Sequence, residues 1–297
     1  MWNGVFPAAT TKFTEADELD TAENERCFAL QVEAGCDGII VCGSLGEAMA
    51  LEPAEKINLL RIAKSVSGSR PVLMTVCESS TKRAVESAKA AAAAGADGLM
   101  VLPGVPYKSA PHETLTHLNA VVSAAGLPAM IYNNPVAYGV DVTLDIFEEL
   151  AEHELVVAMK ESTDDIRRVT EVINKFGDRF DIFTGVDNLA LESLMVGAVG
   201  WVAGLVVAFP KETVAIYKLA REGRYQEALE IYRWFRPLLD LDVSTNLVQN
   251  IKLAEVHACG SNDRCRAPRL PLSGTERARV ENVISKALEV RPSFPSV

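Results

Sequence analysis

No stretch of the 297-residue chain reaches the roughly 18 consecutive apolar residues of a membrane-spanning helix; the longest uncharged runs, such as Gly197 to Pro210, are glycine- and alanine-rich and shorter. Met1-Trp2-Asn3-Gly4-Val5-Phe6-Pro7 has no basic region followed by an apolar one, so no secretory leader is expected and the expected location is the cytoplasm. Basic residues are in deficit, 29 against 40 acidic, for a net charge of −11. Such a surface repels phosphate backbones and argues against nucleic acid as the main partner. The six cysteines (Cys27, Cys36, Cys42, Cys77, Cys259, Cys265) contain no C-x-x-C pair. Free, mostly buried thiols are therefore expected, even though Cys259 and Cys265 are close enough in sequence for a local bridge. Histidine is scarce: His112, His117, His153 and His257 all fall in helix-like stretches, and the five-residue step from 112 to 117 does not put both on one helix face. They are expected at surfaces or helix ends, with no metal site.

Two further absences bear on cofactors and fold. The first strand-like run is not followed by G-x-G-x-x-G, which counts against an open dinucleotide-binding sheet. Gly185-Val186-Asp187-Asn188 and Gly204-Leu205-Val206-Val207 lack the glycine-rich turn of a phosphate cup, so pyridoxal phosphate is not expected either. No cofactor is called for.

What the chain does contain is alternation. Hydrophobic residues make up 48% of it, enough for a large core. Short apolar runs at 5–9, 38–42, 71–76, 98–102, 127–132, 156–159, 180–184 and 200–203 are separated by helical segments such as 22–34 and 81–94. Ala34-Gly35-Cys36-Asp37-Gly38-Ile39 recurs as Ala94-Gly95-Ala96-Asp97-Gly98-Leu99, and Val196-Gly197-Ala198-Val199-Gly200-Trp201 echoes both. Eight strands alternating with helices, with a repeated helix-to-strand turn, predict an α/β fold, a (β/α)8 TIM barrel. After Ala208 only helical patterns follow, at 211–222, 225–239, 245–258 and 274–288. The chain is thus expected to be one domain over residues 1–297, with a barrel at 1–222 and a C-terminal helical extension at 223–297.

In such a barrel the chemistry sits at the C-terminal ends of strands. Leu155-Val156-Val157-Ala158-Met159 reads as a buried strand, and it ends on Lys160. A strand-end lysine usually buries its stem and reaches water with its head. Desolvation, however, also makes lysine a nucleophile able to form a Schiff base. Tyr132 ends the preceding strand and is a candidate proton shuttle that Ser44 would return to neutrality. Gly43-Ser44-Leu45-Gly46 offers main-chain N–H groups to a carboxylate.

Gly43-Ser44-Leu45-Gly46-Glu47, Ile131-Tyr132-Asn133-Asn134-Pro135 and Met159-Lys160-Glu161-Ser162, in that order, resemble the dihydrodipicolinate synthase and N-acetylneuraminate lyase family of class I aldolases. The similarity spans the whole chain. It implies a TIM barrel, a homo-oligomer (tetramer or dimer), and an imine between Lys160 and a small-molecule carboxylate substrate, a 2-oxo acid. It further implies Tyr132 as acid/base, and Ser44 with the Leu45 amide as carboxylate binder. Gly43 and Val202 are placed beside them as substrate-binding residues. Tyr107 is the nearest match to a relay tyrosine that the family contributes across a subunit interface.

Departures from the family pattern bear on the substrate. Dihydrodipicolinate synthases carry two threonines in the glycine loop and an arginine shortly after the tyrosine motif. Here Ser44-Leu45 and Val136-Ala137-Tyr138-Gly139 stand instead, with no guanidinium to clamp a second carboxylate. With Thr245-Asn246-Leu247-Val248-Gln249-Asn250-Ile251-Lys252, the pattern looks most like Δ1-pyrroline-4-hydroxy-2-carboxylate deaminases of hydroxyproline catabolism, which release ammonia and 2-oxoglutarate semialdehyde. The alternatives are a pyruvate-dependent aldolase acting on 4-hydroxy-2-oxoglutarate or a 2-keto-3-deoxy sugar acid, and dihydrodipicolinate synthase itself. A non-enzymatic 2-oxo-acid sensor would have less need of Lys160 and Tyr132 together.

Overall fold

The structure, a computed structural model, describes residues 2–104 and 106–293. Eight parallel strands form one sheet: β1 (Gly4–Pro7), β2 (Ile39–Val41), β3 (Val72–Val76), β4 (Gly98–Val101), β5 (Ala129–Asn133), β6 (Val156–Glu161), β7 (Asp181–Thr184) and β8 (Gly200–Ala203). β1 pairs with β8, and the Ala8–Ile40 bridge joins the end of β1 to β2, so the sheet closes into the predicted barrel. The strands are buried along nearly their whole length, which explains why they read as continuous apolar runs rather than alternating ones.

Helices follow the strands: α1 (Thr21–Glu33), α2 (Pro53–Val66), α3 (Thr81–Ala93), α4 (Pro111–Ala125), α5 (Pro135–Tyr138), α6 (Leu144–Ala151), α7 (Arg167–Phe176), α8 (Ala190–Met195) and α9 (Pro210–Arg221). Their boundaries follow from local chemistry. Ser80 caps α3 by accepting from the Arg83 N–H, and Pro53, Pro111 and Pro210 sit in the first turns of α2, α4 and α9, where a missing N–H costs nothing.

The repeated turn has a physical reason at each position. Gly35, Gly95 and Gly197 have φ of 95°, 90° and 117°, a conformation that L side chains resist. Asp37 and Asp97 accept from the N–H groups of Val5 and Val72, stitching each strand start to its neighbour. The second glycine makes room for an aromatic: a Cβ on Gly38 would lie 2.6 Å from Phe6, one on Gly98 2.6 Å from Trp2, and one on Gly200 2.3 Å from Phe183.

α10 (Tyr225–Leu239), α11 (Leu247–Cys259) and α12 (Gly274–Glu289) follow the barrel. They are fastened to the C-terminal ends of its strands by buried ion pairs. Lys12, in the loop after β1, contacts Glu255 of α11 at 2.5 Å, and Thr10 Oγ1 donates to the same carboxylate. Lys252 of α11 pairs with Glu47, which follows the Gly43–Gly46 loop and also accepts from the Arg266 N–H. All four charged side chains are fully buried, so each pair holds only while both partners are present. The six cysteines are free. One expectation needs correction: His117 is neither at the surface nor at a helix end but buried within α4. Its Nδ1 lies 2.9 Å from Thr81 Oγ1, and desolvation pushes its pKa down.

Candidate active site

β5 and β6 are in register so that Tyr132 lies beside Lys160. The register contains a bulge. Ala129 pairs with Val156 but Met130 with Ala158, so β6 carries one residue more than β5 over this step. Without the extra residue Tyr132 would partner Met159, and Lys160 would fall out of phase with it. Lys160 Nζ stands 4.0 Å from the centroid of the Tyr132 ring. Its stem fits because residue 185, just beyond β7, is glycine: a Cβ there would lie 2.4 Å from Lys160 Cε.

These residues line a cavity of about 370 Å³ at the C-terminal mouth of the barrel. Gly43, Ser44, Leu45, Tyr132, Lys160 and Val202, all singled out from the sequence, are brought together there. Tyr107 is not. It is 62% exposed, and its hydroxyl donates to Glu113 at 3.0 Å. A larger hollow of about 620 Å³ lies among Trp2, Val199 and Arg221 at the N-terminal ends of the strands, the end of a barrel where conserved features serve stability rather than chemistry.

The hydroxyl groups are arranged differently from the expectation. Ser44 Oγ is hydrogen-bonded to the hydroxyl of Tyr138, not to that of Tyr132, which accepts from Asn134 Nδ2 at 2.9 Å. The reason is α5. Asn134 caps this single turn by accepting from the Ala137 N–H, Pro135 starts it and Gly139 ends it in a left-handed conformation. The turn returns Tyr138 to the cavity, where its ring meets Tyr132 edge-on at 6.0 Å. In the sequence Tyr138 registered only as the absence of an arginine.

Two carboxyl groups near Lys160 were not anticipated. Asp187, just beyond β7, is fully buried and accepts from Trp201 Nε1 at 2.9 Å, from the Leu205 N–H at 2.8 Å and from the Gly204 N–H. Its position after a strand end could have marked it. Asp242 comes from the turn between α10 and α11, outside any strand, and lines the cavity. No sequence signal distinguishes it from other acidic turn residues.

The electrostatics of the site follow from burial. Desolvation lowers the Lys160 pKa to about 8, against the opposing pull of Asp242 and Asp187. Desolvation likewise raises the Tyr132 hydroxyl to about 12, so it is a proton donor at neutral pH, while the hydrogen bond from Asn134 pulls the other way. Asp187 and Asp242 are both raised, by burial first. A low-pKa amine, a neutral phenol and hydroxyl-bearing residues in one cavity can form an imine with a carbonyl carbon and move the protons this requires. Among the described residues no group of three or more His, Cys, Asp or Glu is placed to hold a metal ion.

The chain resembles known proteins along nearly its whole length. It is 31% identical over 288 residues to the 4-hydroxy-tetrahydrodipicolinate synthase of Methanosarcina barkeri, covering 96% of this chain and 98% of that one. The solved 4-hydroxy-tetrahydrodipicolinate synthase of Methylacidiphilum fumariolicum superposes with a TM-score of 0.92 at 28% identity, over 97% of each chain. The dihydrodipicolinate synthase of Acinetobacter baumannii, solved in complex with pyruvate, gives 0.89 at 25% identity, over 96% of this chain and 98% of that one. Residues 1–287 match the Dihydrodipicolinate synthetase family, and the chain belongs to it.

Proposed function

We propose that this family lyase captures a short 2-oxo acid as an imine on Lys160 and makes or breaks a bond close to the imine carbon. The observation that carries the reading is the Lys160 amine itself. It lies in a cavity, against Tyr132, with a pKa near 8. At pH 7 about a tenth of it is free amine, about 200-fold more than an ordinary lysine offers. The pyruvate bound by the Acinetobacter relative is a 2-oxo acid of the size this cavity admits.

In this reading the substrate carboxylate sits at Gly43–Leu45. Ser44 and Tyr138 share one hydrogen bond, which leaves one hydroxyl proton of the pair free to donate to the carboxylate. The Tyr132 phenol protonates the oxygen leaving C2 as the carbinolamine collapses, and withdraws a proton as the imine is hydrolysed. The positive imine then draws electrons from the adjacent bond. Condensation onto pyruvate is the reaction best supported by the relatives' names, and aldol cleavage would run through the same imine.

A second reading has its own support. The cavity wall after Pro135 presents Val136, Ala137 and Tyr138 and no guanidinium, and Leu45 is buried beside the carboxylate site. This wall suits a substrate with one carboxylate better than a condensation partner that brings a second. Δ1-pyrroline-4-hydroxy-2-carboxylate is such a substrate. Lys160 would attack C2, the ring C–N bond would open, the 4-hydroxyl would leave as water, and hydrolysis would release ammonia. A substrate panel separates the readings. Ammonia release from the cyclic imine alone supports the deaminase; pyruvate release from 4-hydroxy-2-oxoglutarate or a 2-keto-3-deoxy sugar acid supports the aldolase. Consumption of pyruvate with aspartate semialdehyde supports condensation, and turnover of none of them contradicts the proposal.

A further inference from the structure

The Gly43–Gly46 loop is held in a crowded shape. Cys42 and Glu47, on either side of it, have φ of 61° and 56°, a region that L side chains rarely enter. Between them the chain turns back on itself: the Glu47 N–H donates to Ser44 O at 3.1 Å and the Ala48 N–H to Gly43 O at 3.2 Å. Gly46 packs so closely that a Cβ there would lie 2.9 Å from Ala9 O, and its own carbonyl accepts from Thr11 Oγ1 at 2.6 Å. The N–H groups of Ser44 and Leu45 donate to no acceptor among the described residues, and both residues line the cavity. They are the donors left for a ligand.

Backbone held in such a region persists only where its surroundings over-determine it. Here the determining contacts converge on Glu47, whose side chain is fully buried but does not line the cavity. Its carboxylate pairs with Lys252 of α11 and accepts from the Arg266 N–H at 3.0 Å and from Arg269 Nη1 at 3.2 Å. All three partners come from the helical extension. Lys252 Nζ also donates to Arg264 O at 2.6 Å, and the Arg266 guanidinium binds Ala50 O at 3.1 Å and Glu55 at 2.6 Å, just beyond the loop. The segment between α11 and α12 is thereby drawn across the point where the loop ends.

We propose that Glu47 is a positioning residue for the carboxylate-binding loop, and that Lys252 and the Arg266 N–H of the extension fix it in that role. The inference rests on the reading that the substrate carboxylate binds at Gly43–Leu45. A carboxylate held by main-chain donors is bound only as well as those donors converge. With Glu47 anchored, residue 47 stays in the left-handed region and the Ser44 and Leu45 N–H groups stay together. Without the anchor the backbone relaxes and the two donors diverge. The extension therefore sets the preference for a 2-oxo acid over a neutral ketone from a distance, while Lys160 and Tyr132, fixed by the sheet, keep their geometry.

Borohydride trapping of the full-length chain with pyruvate and, separately, with pyruvamide tests this. Pyruvamide has the size and shape of pyruvate and the same ketone for Lys160, but no charge. The unmodified protein is expected to trap pyruvate the more efficiently. In Lys252→Met that preference is expected to fall by about tenfold or more, the worth of one hydrogen bond to a charged group, with pyruvamide trapping nearly unchanged. Lys252→Met leaves a buried carboxylate short of its cation and can fail to fold. Glu47→Gln combined with Lys252→Met removes both buried charges together and carries the same expectation. An unchanged preference in the folded double variant overturns the proposal. So does an equal fall in both reactions, which is what general loosening of the barrel would give. If the unmodified protein traps pyruvamide as readily as pyruvate, the carboxylate site fails and the role of Glu47 with it; if it traps neither, the reading of Lys160 fails.

Discussion

Lys160 Nζ stands 4.0 Å from the ring centroid of Tyr132 because one extra residue in β6 shifts the register and sets the two side by side on adjacent strands. Amine and phenol are therefore fixed by the sheet itself, whereas the groups around them come from loops. Burial acts on the pair in opposite directions, releasing a proton from the amine and holding one on the phenol.

The pH dependence of imine formation follows from the Lys160 pKa near 8. The reactive form is the free amine. Below pH 8 the trapping rate is expected to rise about tenfold per pH unit, and above it to level off. A rate that keeps rising to pH 10 would mean that the amine titrates as an ordinary surface lysine.

Replacing Tyr132 with Phe is expected to lower turnover by about 10²–10⁴ while leaving the apparent affinity for the 2-oxo acid nearly unchanged. Tyr138→Phe should act the other way. It removes the partner of Ser44 and should raise KM several-fold with a smaller change in kcat. Steady-state kinetics of both variants separate a proton-transfer role from a carboxylate-binding one, and matching defects would contradict the division.

Gly185→Ala puts a Cβ 2.4 Å from Lys160 Cε and 2.2 Å from Ser162 Oγ. Both atoms belong to side chains that can move, so the chain should still fold, at a cost of about 1–3 kcal/mol. The amine should be displaced, with borohydride trapping slowed at least tenfold. Thermal melting and trapping measured on the same sample check the two halves together.

Lys12→Met leaves Glu255 buried with, among the described residues, only the Thr10 hydroxyl as a side-chain partner. The variant is expected to lose about 3–5 kcal/mol of stability, read from the denaturant midpoint. A loss below about 1 kcal/mol would show that the pair does not hold α11 to the barrel.

Much of this architecture was legible from residue order alone. Buried parallel strands announce themselves as short apolar runs, and the glycine-bracketed turn repeats because each copy solves the same packing problem against Phe6, Trp2 or Phe183. Lys160, Tyr132 and Ser44 were legible because they lie at or just beyond the ends of strands that reach the barrel mouth. Tyr138 and Asp242 were not. Tyr138 reaches the cavity through a single helical turn, and Asp242 through a turn that long-range packing of the helical extension holds in place. Neither contact leaves a periodic trace in the sequence. The extension read as an appendage for the same reason, although its Lys252 and Glu255 are buried against the loops that carry Glu47 and Thr10.

The central claim is that Lys160 is the residue that captures substrate. Incubation with pyruvate and borohydride, followed by mass mapping of the tryptic peptides, tests it most directly. The account predicts one reduced pyruvyl adduct on the peptide containing Lys160, and no adduct in a folded Lys160→Ala variant. An unmodified Lys160 peptide, or an adduct that persists in the variant, would contradict it.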